Sequence, residues 1–271
     1  TLFRSEEPEI IVPKTDAIRE QIHKLTTETG LSPSAINTYI NCTLQYYFRY
    51  IAGLNAADEV EESMDAATIG SAVHYALEKL LEPHLHQPLT ADVLQDLRKQ
   101  DAEIEALVHH SLLESFSAYS LSSGKNVLLK KVCIKLTKDF LKQQAEWIAA
   151  NSNAPLTVLQ LESKLETTLQ VGHQTVKIQG RIDRIDRYGD AIRIADYKTT
   201  SHKSVPALNE ETYQQLATNP EFAKTVQLLL YAYLYHKQPT YNNEVLQPGI
   251  YWLKHYKKDL DILKTDAQGN A

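Results

Sequence analysis

At Leu156 the spacing of apolar residues changes from three or four to two, and that change divides the chain. Val158, Gln160, Glu162 and Lys164 alternate with Leu159, Leu161 and Leu165. Val176 to Asp186 alternates again, and Ala191 to Tyr197 makes a third run. A period of two belongs to a strand whose successive side chains point to opposite faces. Gly172-His173 and Tyr188-Gly189-Asp190 supply turn residues between the runs, so the three strands form an antiparallel meander.

Ahead of the meander the pattern is helical. Ser32-Pro33 opens a helix as N-cap and first helical residue. The spacing carries it to about Tyr50, with Ile36, Tyr39, Ile40, Tyr47 and Phe48 on its packed face, and Gly53 ends it. A second helix runs from Ala66 to Leu81, before Pro83. Two more are expected over 91–119 and 126–150, broken around Ser122-Ser123-Gly124. Residues 55–65 form an acidic connector, read as a solvated loop. After the meander, Pro220 opens a helix through Tyr235, and Gln247-Pro248-Gly249 precedes a last strand, Ile250 to His255. The expected class is α+β, with a helical N-terminal region wrapped round a sheet. Residues 1–30 are a lead-in. Residues 31–271 form a single domain, mainly helical over 31–150, with a sheet and helix over 156–255. The ragged start at Thr1 and the polar end read as a piece excised from a longer protein.

Composition excludes several classes. A hydrophobic fraction of 43% and a charged fraction of 23% are those of a globular chain rather than a disordered one. The apolar stretches, Val226 to Leu234 among them, are too short to span a bilayer, so no membrane partner is expected. No signal peptide is visible. Two cysteines, Cys42 and Cys133, make no disulfide framework, and a reducing cytoplasm is the expected location. Net charge is −6, yet residues 170–271 carry 13 Lys and Arg against 11 Asp and Glu. A carboxylate site that gathers divalent cations reverses the local field felt by a phosphate, so total charge does not exclude nucleic acid.

The chemistry concentrates between Gly180 and Lys198. Asp183 and Asp196 lie on strands joined by a tight turn centred near Gly189-Asp190, which brings them side by side. Two carboxylates so placed repel unless a cation sits between them. Oxygen-rich sites of this kind suit Mg²⁺ or Mn²⁺. Lys198 is two positions beyond Asp196 and shares its face of the strand. Its ammonium can orient an attacking water or stabilise charge on a scissile phosphate. An Asp-x-Lys triplet alone is common on exposed strands; the spacing to Gly180-x-x-Asp183 makes it specific.

Gly180-Arg-Ile-Asp-Arg-Ile-Asp186, followed by Ile194-Ala-Asp-Tyr-Lys-Thr199, closely resembles the RecB-like branch of the PD-(D/E)XK nuclease superfamily. Leu31 to Cys42 is similar to that family's opening helix, with Tyr46 to Tyr50 as its aromatic continuation. Gly70-Ser-Ala-Val-His74 resembles its Gly-x-x-x-His motif, and Gln227-Leu-Leu-Leu-Tyr231 its Gln-x-x-x-Tyr motif. The resemblance covers residues 31 to 255 in the family's order. It implies a restriction-endonuclease-like core in which His74, Asp183, Asp196 and the Tyr197 backbone carbonyl hold Mg²⁺ or Mn²⁺. It further implies that Lys198 assists the attacking water, and that Gln227 and Tyr231 line the site and position DNA. Glu162 is, in that scheme, either an extra acidic ligand or a group supporting the ligands from behind.

Read from the residues alone, each has a plainer explanation. His74 is a helix residue within i,i+4 reach of Glu78. Gln227 and Tyr231 share a helix face and could be packing, and Glu162 reads first as a solvated strand residue. The histidines show no H-E-x-x-H or zinc spacing, and there is no Gly-rich loop of the ATPase type. Many relatives of the resembled family use one cysteine in the opening helix and three near the C-terminus to bind an iron–sulfur cluster. Cys42 matches the first; nothing after Cys133 supplies the rest, so no cluster is expected unless the longer protein carries three further cysteines. Cys133 reads as a buried helix residue. The expected activity is metal-dependent hydrolysis of DNA, as an exonuclease in repair and recombination, with a helicase partner in cis or in trans implied by the resemblance. The competing readings are a catalytically silent DNA-binding or scaffolding module, and an enzyme acting on RNA or branched DNA.

Overall fold

The computed structural model describes residues 11–54, 65–202, 205–254 and 259–265. Ten α-helices are present among them: α1 (Asp16–Lys24), α2 (Pro33–Asn41), α3 (Thr43–Tyr46), α4 (Ala66–Leu81), α5 (Ala91–Arg98), α6 (Asp101–Leu113), α7 (Ala118–Leu121), α8 (Gly124–Ala150), α9 (Glu210–Gln215) and α10 (Ala223–His236). The strands are β1 (Pro88–Leu89), β2 (Leu156–Val171), β3 (Gln174–Tyr188), β4 (Ala191–Lys198), β5 (Val245–Trp252) and β6 (Asp261–Ile262), in that spatial order. All neighbours are antiparallel except β4 and β5, which run parallel. A parallel pair needs a crossover, and α9 and α10 lie in it. The mixed α and β architecture, the meander and the helix before the last long strand all match the sequence expectation.

The meander begins and ends where the turn residues put it. In the helical region apolar spacing is a coarser guide. The helix expected from Ser32 to Tyr50 starts as predicted, with Ser32 Oγ accepting from Ala35 N at 3.1 Å. It breaks at Cys42, whose backbone is extended and whose Sγ caps α3 by accepting from Gln45 N at 3.4 Å. Cysteine is not a usual capping residue, so nothing in the apolar spacing marks the break. Tyr39 stays exposed, and Tyr47 to Ile51 form a π-helical turn. The span 91–119 is three helices rather than one: α5 ends at Arg98 before α6 starts at Asp101, and Ser117 caps a new start at α7. Pro220 opens a 3-10 turn before α10 starts at Ala223. The last long strand starts at Val245, not Ile250. Pro248 and Gly249 lie inside it, where a Cβ on Gly249 would meet Asp261 O of β6 at 2.8 Å. The connector 55–64 and the end of the expected strand at 255 lie outside the described residues. No helix among the described residues is long and apolar enough to cross a membrane.

Both faces of the sheet are covered. On one, α4, α5, α6 and α8 pack into a core with Val158, Ala195, Tyr197 and Tyr251. On the other, Ile178, Ile182, Ile185, Ile192 and Ile194 meet Tyr231, Leu234 and Tyr235 of α10. Ile182 and Ile185 are three residues apart on one strand, so strict alternation would place them on opposite faces. They share a face where the β2–β3 ladder is irregular: its register shifts between Val158 and Gln160, and a rung is lost nearer the site. Leu161 pairs with Arg184 and Ser163 with Ile182, while the rung between them, Glu162 and Asp183, drops out. Glu162 has φ 45°. A non-glycine residue there is strained backbone, of the kind that collects at functional sites. The kink lets groups from both faces of the sheet converge on one place.

Candidate metal centre

Four elements meet at that kink. Asp183 comes from β3, and its Oδ2 accepts from Tyr197 N of β4 at 2.6 Å. Continuing the β3–β4 register one step beyond Arg184↔Ala195 brings Asp183 opposite Asp196, as the hairpin spacing predicts. His74 projects from the middle of α4. Its Nε2 lies 3.2 Å from Tyr197 O, and its Nδ1 lies 3.6 Å from Asp183 Oδ1 and 3.8 Å from Glu162 Oε1. Glu78 makes no claim on it, pairing instead with Lys79 at 3.3 Å. His74, Glu162 and Asp183 each offer a ligand atom within 4.8 Å of the others. The solvated role expected first for Glu162 is therefore overturned. The side chain is 13% exposed, turned into the cluster by the kinked backbone, and its Oε2 is 2.7 Å from Arg181 Nε.

Asp196 sits beside this trio, fully engaged by the chain itself. Its Oδ1 accepts from Gln227 Nε2 at 2.8 Å, and Lys198 Nζ is 2.8 Å from its Oδ2. Gln227 also reaches the Tyr231 hydroxyl at 3.0 Å, so the shared face of α10 turns toward the carboxylates rather than serving only as packing. Gly180 is what lets α10 lie this close: a Cβ there would meet Leu234 Cδ1 at 2.8 Å and Tyr231 Cε1 at 3.1 Å. Cys42 is free and exposed at the α2–α3 junction, and Cys133 is free and buried.

Electrostatics show how crowded the charges are. Burial, then the Asp183 charge, pushes Glu162 up to about 7. The same two causes push Asp196 up to about 6, against the pull of Lys198. Burial alone would lower the His74 pKa, but the hydrogen bond and charge of Asp183, with Asp196 and Glu162 behind, raise it above its ordinary value. Burial, then the Asp196 charge, holds the Tyr231 hydroxyl well above the usual range, so it stays neutral. All three shifts favour proton binding where the carboxylates crowd together, the repulsion a divalent cation would relieve. The donor set, two carboxylates and an imidazole with a third carboxylate adjacent, fits Mg²⁺ or Mn²⁺.

These raised values predict how binding of a divalent cation would depend on pH. Between roughly pH 4.5 and 7 the folded chain holds protons on Glu162 that an unfolded chain would have lost. Asp196 and His74 are shifted in the same direction. The metal-free fold therefore loses stability as pH rises through this window, and a bound divalent cation relieves the same repulsion. Stabilisation by Mn²⁺ is expected to grow from pH 5.5 to pH 8, with proton release on binding. Thermal shifts measured at both pH values check this, and equal shifts would contradict it.

Sequence reasoning missed two features. Arg181 is the counter-ion of Glu162, a role no motif marks; its position two residues before Asp183 was the available signal. The second is a buried ionic cluster behind the centre. Arg184 and Asp186 are both fully buried and pair at 2.6 Å, and Arg193 pairs with Asp259 alongside. Burial alone would lower the Arg184 pKa, but the Asp186 charge and hydrogen bond together with Tyr197 and Tyr251 outweigh it, and Arg184 stays charged.

A meander, a crossover helix and a parallel strand, with carboxylates and a histidine gathered at the kink, define a restriction-endonuclease-like fold. The profile of the PD-(D/E)XK nuclease superfamily matches residues 30–269, and the chain belongs to that family. Among curated relatives, one of the subunits of an ATP-dependent helicase/deoxyribonuclease from Streptococcus agalactiae is 27% identical over 186 residues, 64% of this chain. An uncharacterised protein of Rickettsia typhi is 28% identical over 206 residues, 71% of this chain. The matched region spans 14% of the streptococcal protein and 22% of the rickettsial one.

Proposed function

We propose that this chain is a metal-dependent deoxyribonuclease that hydrolyses phosphodiester bonds from DNA ends. The observation that carries the proposal is the convergence of His74, Glu162 and Asp183 beside the Asp196–Lys198 pair. A divalent cation bound there would polarise a phosphoryl oxygen and lower the pKa of a water. The chain's own groups do the positioning. Tyr197 N–H fixes the Asp183 carboxylate, and Gln227 fixes Asp196. His74 supplies an imidazole from the helical side, oriented toward the Tyr197 carbonyl, which is a further candidate ligand. Lys198 is held by Asp196 at the edge of the cluster, where its ammonium can orient the attacking water or meet the charge that develops on the phosphate. Tyr231, neutral and bonded to Gln227, walls the site on the α10 side.

The likeness to a helicase/deoxyribonuclease component supports DNA as substrate and a role in repair and recombination, with a helicase partner in cis or in trans. An exonuclease releases short products from linear DNA in Mg²⁺ and leaves a covalently closed circle intact. Cleavage of circular single- and double-stranded DNA at a rate equal to that of linear DNA would overturn the exonuclease assignment.

A further inference from the structure

Beyond the kink, β2 and β3 continue as a hairpin arm. Their pairing runs on from Ser163↔Ile182 to Val171↔Gln174, whereas β4 pairs with β3 only from Arg184 onward. One face of the arm is turned to α10 through Ile178, Gly180 and Ile182. The other carries the rungs Lys164↔Arg181, Glu166↔Gln179 and Thr168↔Lys177, with Lys164, Glu166 and Thr168 exposed. Glu166 is taken up by Lys177 at 2.9 Å. Lys164 forms no ion pair among the described residues. Arg181 binds Glu162 through Nε and keeps its side chain 55% exposed.

The first rung is unusual. Like charges directly opposite on a sheet repel and destabilise it. Here two cations face each other on the rung of this face nearest the metal cluster, and one of them is anchored to a cluster carboxylate. An anion lying across the rung would turn that repulsion into attraction, and a planar guanidinium is suited to a phosphate. We propose that Lys164 and Arg181 clamp a backbone phosphate of the DNA strand, next to the phosphate presented to the metal centre. This rests on the reading of the chain as a DNA nuclease. Both are binding residues: they place the strand and take no part in bond cleavage.

Lys164 gives the cleaner test, because it does not touch Glu162. The probe is a fluorescent single-stranded oligonucleotide bound in Ca²⁺, with anisotropy followed against KCl. Lys164→Glu is expected to weaken binding about tenfold or more, and Lys164→Ala to reduce the salt slope by about 0.7, the share of one phosphate contact on a single strand. In Mg²⁺, Lys164→Ala should raise KM with kcat unchanged, the mark of binding lost equally in ground and transition states. Its Tm should stay level or rise, since a repulsion is removed, and its Mn²⁺ affinity should match wild type. A Lys164→Glu protein that binds with wild-type affinity and salt slope would overturn the clamp alone. A wild-type protein that binds Mn²⁺ but no oligonucleotide would overturn the nuclease reading and the clamp with it.

Discussion

Asp183→Asn is expected to reduce DNA cleavage in Mg²⁺ by at least about a hundredfold while leaving the protein as stable as wild type or more so. The two halves of that expectation have one cause. The Asp183 carboxylate raises the pKa values of both Glu162 and Asp196, so its charge is a cost to the metal-free fold. Asparagine keeps an oxygen for Tyr197 N, whose bond of 2.6 Å would otherwise be lost inside the core. Removing the charge while keeping the shape should return Glu162 toward the usual carboxylate range and weaken Mn²⁺ binding. Lys198→Ala should lower turnover by about a hundredfold with Mn²⁺ affinity largely kept, because Lys198 touches Asp196 and not the His74–Glu162–Asp183 trio. Calorimetric titration with Mn²⁺, thermal melting and single-turnover cleavage separate these outcomes. Undiminished cleavage by Asp183→Asn would leave the metal centre without a function. Loss of cleavage together with a large drop in Tm would show instead that the carboxylate serves the fold.

The parts of this arrangement legible in the sequence are those set by local periodicity and by symmetric hairpins. Glycine and aspartate at the Tyr188-Gly189-Asp190 turn fixed the register, and the register put Asp183 across from Asp196. His74, Gln227 and Tyr231 are singled out by the family resemblance rather than by their own spacing, and their convergence depends on the packing of α4 and α10 against opposite faces of the sheet. The kink at Glu162 is where local reasoning fails. A glutamate with φ 45° has no local signature, and strand alternation predicts that its side chain points to solvent. Cys42 illustrates the same limit in the helical region, where an extended residue splits an otherwise continuous helical pattern. Arg184 and Asp186 mislead in the opposite direction. Charged residues on a strand read as its wet face, yet both are fully buried, because the pair neutralises itself under the helical layer.

That pair sustains the second large effect. Asp186→Ala is expected to destabilise the fold by about 3–5 kcal/mol, since it leaves the Arg184 guanidinium buried without its counter-ion. Arg184 lies one residue beyond Asp183, and its guanidinium sits 5.8 Å from the Tyr251 ring centroid. Arg193, 4.6 Å from the Trp147 ring centroid and paired with Asp259, is a second cation and offers Arg184 no counter-charge. The strand that presents Asp183 is therefore propped from behind by a buried charge whose ionic partner is Asp186. Replacing both members with apolar residues of similar volume, Arg184→Met with Asp186→Leu, should recover most of the loss, because burying an ion pair costs desolvation that an apolar pair avoids. If the pair acts only on stability, the double variant regains cleavage along with its fold. If the charges also set the position of Asp183, it folds but cleaves poorly. Chemical denaturation of the two single variants and the double, with cleavage measured on the same preparations, distinguishes these cases. A loss of less than about 1 kcal/mol in Asp186→Ala would mean that water reaches Arg184 and the pair is not sealed in the core.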